Sequence, residues 1–143
     1  MSQNCKKTKQ MKKKPYRPEN NPHKQNTGLK RLFLAFVNSI SGFNFAIKEE
    51  SAFRQELLLC LFLIPLIFIF PTSPIEKILM IGSLLLLLIV ELLNSSIEAA
   101  IDRISFSHHD LSKRAKDLGS AAVLVALTLV VITYLSVLTK FLI

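Results

Sequence analysis

Three long apolar runs dominate the chain: LLLCLFLIPLIFIF, ILMIGSLLLLLIV and AAVLVALTLVVITYLSVL. Almost all of the charge lies before the first run or in the segments between them. Blocks of this length must be shielded from water along their whole extent, and a bilayer does this. Inside lipid every backbone N–H and C=O must be satisfied within the segment, so each run must be a helix. The expected fold is an all-α integral membrane protein. An N-terminal amphipathic surface helix, residues 28–48, precedes three transmembrane helices at about residues 52–70, 75–104 and 118–139.

The charge distribution sets an orientation. The net charge is +8, and 12 of the 18 Lys and Arg lie at or before Arg54. Four more fall between Arg103 and Lys116, leaving only Lys77 and Lys140. The positive-inside bias places the N-terminus and the 103–116 segment in the cytoplasm, with the PTSP turn and the C-terminus outside. A basic chain can also bind nucleic acid, but no recognition motif or aromatic-basic interleaving supports that here.

Residues 1–27 are rich in Lys, Asn, Gln and Pro, have no apolar core, and read as a disordered basic tail. The two cysteines, Cys5 in that tail and Cys60 in an apolar run, form no CxxC or Cys/His cluster. In residues 28–48, Leu29, Leu32, Phe33, Phe36, Val37, Ile40, Phe43 and Ile47 recur at helical spacing between polar residues. That is the pattern of a helix lying in a membrane surface. Pro65 is tolerated within a membrane span and is expected to kink it. SFSHHDLSKRAKD reads as a polar loop, and GSAA at the start of the third span offers small residues for close helix packing.

The feature that needs explaining is ELLNSSIEAAIDR, Glu91 to Arg103, which continues the second apolar run. At 100° per residue Glu91, Glu98 and Asp102 share a narrow stripe, with Asn94 beside it. Rising 1.5 Å per residue, the helix puts Glu91 roughly 24 Å and Glu98 roughly 35 Å from Ile75. Glu91 is thus expected at the inner edge of the hydrocarbon, and Glu98 and Asp102 at headgroup level or in water. An acid at the edge of lipid is costly and more often functional than structural. Poor hydration makes such a carboxylate a better proton acceptor, which suits a general base.

Glu91 and Glu98 are two turns apart, roughly 10 Å along the axis. One magnesium ion, with oxygen ligands at about 2.1 Å, can hardly be held by both. A second carboxylate near Glu98 would come from elsewhere, and Glu49 or Glu50 could supply it. Equally, those two acids could simply favour the N-terminus of the first span. Lys113, Arg114 and Lys116, with His108 and His109, could hold a phosphorylated molecule, or could only satisfy topology. No GxxxxGK[ST] or GxGxxG occurs, and the chain has only four glycines.

EESAFRQE, ELLNSSIEAAIDR and HHDLSKRAKDLGSAAV, in this order, closely resemble the bacterial diacylglycerol kinase family. The resemblance covers about Leu29 to Ile143. It implies a small membrane kinase with three spans and a surface helix, working as a domain-exchanged homotrimer in the bacterial inner membrane. It also implies ATP as co-substrate, magnesium as cofactor and 1,2-diacylglycerol as the lipid substrate, phosphorylated to phosphatidic acid in phospholipid recycling.

Carried over by resemblance, Glu91 is the catalytic base, Asn94 an active-site residue, and Glu50 and Glu98 the magnesium ligands. ATP-binding positions are Arg31, Asn38, Glu50, Glu98, His109, Lys116 and Asp117. Substrate-binding positions are Arg31, Arg54, Gln55, Glu56, Glu91 and Ser120. The sequence departs from its relatives at several points. Glu49 stands where asparagine is usual, Asn38 and His108 replace aromatics, and there is no tryptophan. Two readings compete: an undecaprenol kinase of a related branch, and a non-enzymatic membrane protein with an ion path. IEAAIDR and RAKDLGSAAV fit the diacylglycerol branch better, and an ion path predicts acids spread through the bilayer depth.

Overall fold

A computed structural model describes residues 28–104 and 109–141. The expectations for the basic tail, Cys5 and His108 lie outside the described residues. The described residues form four α-helices and a short 3-10 turn: α1 (Gly28–Glu49), α2 (Ser51–Ile69), α3 (Pro74–Ile104), α4 (Asp110–Leu138) and the turn Thr139–Phe141. The chain divides into two compact units, Met1–Ile40 and Ser41–Ile143. The described part of the first is the N-terminal portion of α1. The second holds the remainder of α1 and everything after it.

α2, α3 and α4 are each long and apolar enough to cross a membrane. A single extended residue, Glu50, separates α1 from α2. The junction is held by Arg54, whose Nη1 donates to Ile47 O at 3.2 Å and Lys48 O at 3.1 Å. These are orphan carbonyls at the end of α1, which need a donor from outside the helix. Phe43 and Phe53 pack beside them as a tilted ring pair, 6.5 Å between centroids.

Between α2 and α3 the backbone turns over Phe70 to Ser73. Phe70 is extended, as the residue before Pro71 must be. Thr72 is buried and its hydroxyl donates to Ile67 O at 3.3 Å, closing the end of α2. Ser73 and Glu76 then cap α3 reciprocally. Ser73 N donates to Glu76 Oε2 at 2.8 Å, and Glu76 N donates to Ser73 Oγ at 3.3 Å. Pro74, which has no N–H to lose, occupies the first helical position. Glu76 also pairs with Lys140, tying the end of the chain to the start of α3.

α3 has 31 residues and so extends roughly 46 Å, well beyond a hydrocarbon core of about 30 Å. It packs mainly on α4 and secondarily on α2. The core is one stripe from each helix: Cys60 and Ile67; Met80, Leu84 and Leu87; Ala126, Val130, Tyr134 and Val137. Steps of three, four and seven residues mark one face of each helix. Tyr134 brings a hydroxyl into this apolar stripe and donates it to Leu63 O at 3.5 Å. Outside the stripe, Leu61, Phe62, Phe68, Ile78, Leu124 and Val125 are exposed, as befits side chains facing lipid or another chain.

Two sequence expectations change. α4 begins at Asp110, inside the segment read as a polar loop. His109 makes this possible, because its Nδ1 accepts from Leu111 N at 3.2 Å as an N-cap. Lys113 and Asp117, one turn apart at 2.5 Å, add an ion pair on the solvent side. Of GSAA, only Gly119 is buried; Ser120, Ala121 and Ala122 are exposed. Small size matters at one position of the four.

Candidate active site

The second unit contains a cleft of about 480 Å³ bounded by α2, α3 and α4. α2 contributes Ala52, Gln55, Glu56 and Leu59, while α3 contributes Glu91, Asn94 and Glu98. α4 contributes Ser120, Val123 and Leu127. The intervals of three, four and seven residues show why each helix can present a row to one cavity. Acids and amides share the walls with leucine, valine and alanine, so the cleft suits a molecule with a polar end and an apolar body.

Glu91 is 2% exposed and is the first residue of the α3 row. The charges of Glu98 and Glu50 both reach it. Glu56 faces from α2, also buried, and lies within electrostatic reach of Glu91. Its Oε2 has no hydrogen-bond partner. One turn beyond Glu91, Asn94 donates its Nδ2 to Glu98 Oε1 at 3.1 Å. That bond holds the Glu98 carboxylate, which is half-buried at the cleft's edge.

Other residues singled out from the sequence occupy different settings. Glu50 is half-buried at the α1–α2 junction, and Arg54 caps α1. His109 caps α4, and Asp117 is exposed and paired with Lys113. Lys116 pairs with Asp102 of α3 at 2.6 Å. Arg31 and Asn38 are exposed in the first unit. The cleft therefore gathers Glu91, Asn94, Glu98, Gln55, Glu56 and Ser120. Sequence reasoning missed its apolar walls, Leu59, Val123 and Leu127. Their periodicity marks a helix face, but nothing in one helix says which neighbour that face will meet.

The donor set can be tested against magnesium. Among the described residues, no group of three or more His, Cys, Asp or Glu side chains forms a metal cluster. Glu98 and Glu50, both within reach of Glu91, offer carboxylate oxygens only. That set fits a hard cation carried in with phosphate, since magnesium commonly takes one or two carboxylates and fills its other positions with water and phosphate oxygens.

Known proteins agree on one family. The profile described as prokaryotic diacylglycerol kinase matches residues 37–138. A diacylglycerol kinase of Pseudomonas aeruginosa is 52% identical over 117 residues, covering 82% of this chain and 95% of the relative. One from Haemophilus influenzae is 48% identical over 108 residues, 76% of this chain and 92% of the relative. One from Escherichia coli is 44% identical over 108 residues, 76% of this chain and 88% of the relative. The matched span includes every residue that lines the cleft. This chain is a member of the prokaryotic diacylglycerol kinase family.

Proposed function

We propose that the protein transfers the γ-phosphoryl group of ATP to the free hydroxyl of 1,2-diacylglycerol, forming phosphatidic acid and ADP. The observation that carries this reading is the buried Glu91 carboxylate in a cleft with an apolar wall and a second acid, Glu98. Leu59, Val123 and Leu127 suit the glycerol backbone and the first part of the acyl chains. Glu91 takes the proton as the hydroxyl oxygen attacks the γ-phosphorus, and the bond to the ADP oxygen breaks. Gln55, Glu56 and Ser120 hold the polar end of the lipid, with Arg54 at the neighbouring junction.

Glu98 and Glu50 would hold magnesium together with the phosphate oxygens. When bound, the ion neutralises charge on the transferring phosphoryl group. Asn94 keeps Glu98 oriented toward it. Lys116 supplies positive charge for the phosphates, with His109 and Asp117 on the nucleotide side; Arg31 and Asn38 are further ATP-binding positions implied by the family resemblance. The exposed Leu29, Leu32, Phe33 and Phe36 support a surface role for α1, as an amphipathic helix on the cytoplasmic leaflet. The basic N-terminal segments support a cytoplasmic N-terminus in the bacterial inner membrane, with the C-terminus outside. The homotrimer is the assembly that the family resemblance implies, and the exposed apolar side chains of the spans leave surface for lipid and for further copies.

The test is turnover of ATP by the purified full-length protein in lipid-detergent micelles, supplied with diacylglycerol or undecaprenol. Diacylglycerol should be phosphorylated faster, and Glu91→Gln should be inactive on it. Faster phosphorylation of undecaprenol would reverse the choice of substrate.

A further inference from the structure

Gly119 of α4 lies directly against Asn94 of α3. A Cβ added to Gly119 would overlap Asn94 Oδ1 and come within 3.2 Å of Asn94 Cγ. Asn94 is only 9% exposed, and its Oδ1 is buried without a hydrogen-bond partner. Its Nδ2, by contrast, donates to Glu98 Oε1 at 3.1 Å. No donor draws the oxygen into this position; what admits it is the space left by the missing side chain. What the amide gains is the bond at its other end, to a carboxylate that accepts only. Turning the amide over would set an oxygen against an oxygen, so the arrangement has one sense.

We propose that Gly119 is a positioning residue for phosphoryl transfer. By lacking a side chain it lets the Asn94 amide lie between α3 and α4 with its Nδ2 donating to Glu98 Oε1. The Glu98 carboxylate is thereby held in one orientation at the cleft's edge. A methyl group at position 119 displaces the amide, breaks the bond to Glu98 and leaves that carboxylate free to rotate. The proposal rests on the reading of Glu98 as an acid of the nucleotide side. Misplacement of such a group by a fraction of its own length is costly to rate.

The experiment compares Gly119→Ala, Asn94→Ala and the double substitution in the full-length protein in micelles. Gly119→Ala should lower kcat by about tenfold or more and raise the magnesium concentration needed for half-maximal rate. In the Asn94→Ala background the same substitution should have no further effect on either quantity, because the group it displaces is gone. Equal losses in both backgrounds, or an unchanged magnesium requirement, would reduce Gly119 to a packing residue and overturn the proposal. If Gly119→Ala alone does not fold, the double variant should fold and match Asn94→Ala; lower activity in the double variant sinks the idea. The Asn94 side-chain amide resonance supplies a readout without turnover. It should shift in Gly119→Ala, and an unmoved resonance refutes the proposal. A wild-type protein inactive on diacylglycerol refutes the kinase reading instead.

Discussion

Lys116 Nζ meets Asp102 Oδ1 at 2.6 Å, joining α4 to α3 between residues 14 apart in sequence. Both side chains are roughly two-fifths exposed, 37% and 43%. The pair stands in a screened, competitive setting, and a polyphosphate offers Lys116 a denser negative charge than one carboxylate does. On the proposed role of Lys116 in holding ATP, Asp102 is a counter-ion that the nucleotide would replace.

Lys116→Met should raise the KM for ATP by about tenfold, the loss expected for one charge-assisted phosphate contact. Asp102→Asn should leave that KM unchanged or lower it, since it removes the competitor. Steady-state kinetics over a range of ATP concentrations decide this. If Asp102→Asn raised KM as far as Lys116→Met does, the pair would be a fixture of the nucleotide site and not its placeholder.

Glu91 and Glu98 should separate cleanly. Glu91→Gln is expected to cost about 10²–10⁴ in kcat, the usual contribution of a positioned base, with magnesium-ATP binding retained. Glu98→Gln should weaken magnesium-ATP binding. Calorimetric titration of nucleotide into each variant, beside lipid phosphorylation rates, distinguishes the roles. Loss of nucleotide binding in Glu91→Gln would contradict the assignment.

Glu56 places a carboxylate oxygen out of water with no partner. Such an oxygen costs about 1–3 kcal/mol. Glu56→Leu should accordingly raise resistance to thermal unfolding in micelles while lowering diacylglycerol phosphorylation. A variant that is less stable than the wild type would show that Glu56 holds the helices together.

Ser73 caps α3 at the end remote from the cleft, roughly 37 Å from Glu98 along the helix. Ser73→Ala should cost about 1 kcal/mol of stability by loss of the cap and leave kcat within twofold. Unfolding midpoints and kinetics on the same preparation test both halves. A large fall in kcat would mean that the far end of α3 controls the site.

That α2, α3 and α4 are long and apolar enough to cross a membrane was legible in the sequence, because apolar run length is a local property. Each run needs about 20 residues and an internally bonded backbone to cross lipid, whatever its neighbours. The length of α3, 31 residues, was legible too, because Glu91, Glu98 and Asp102 keep one stripe beyond the apolar run. The start of α4 was not. Asp110 to Asp117 is polar enough for a loop, and becomes helix through the cap at His109 and the Lys113–Asp117 pair.

By itself the sequence determined the stripe: an acid at the end of the apolar run, another two turns on, and an asparagine between them. Only the tertiary structure decided what the stripe faces. Glu56 from α2 comes beside Glu91, Leu59, Val123 and Leu127 wall the cleft, Asp102 holds Lys116, and Gly119 makes room for Asn94. The physical reason is the range over which each kind of information acts. Hydropathy and helical period are written within a single helix. The choice of which faces meet depends on side-chain volumes in two helices at once, and at Gly119 on a side chain that is not there.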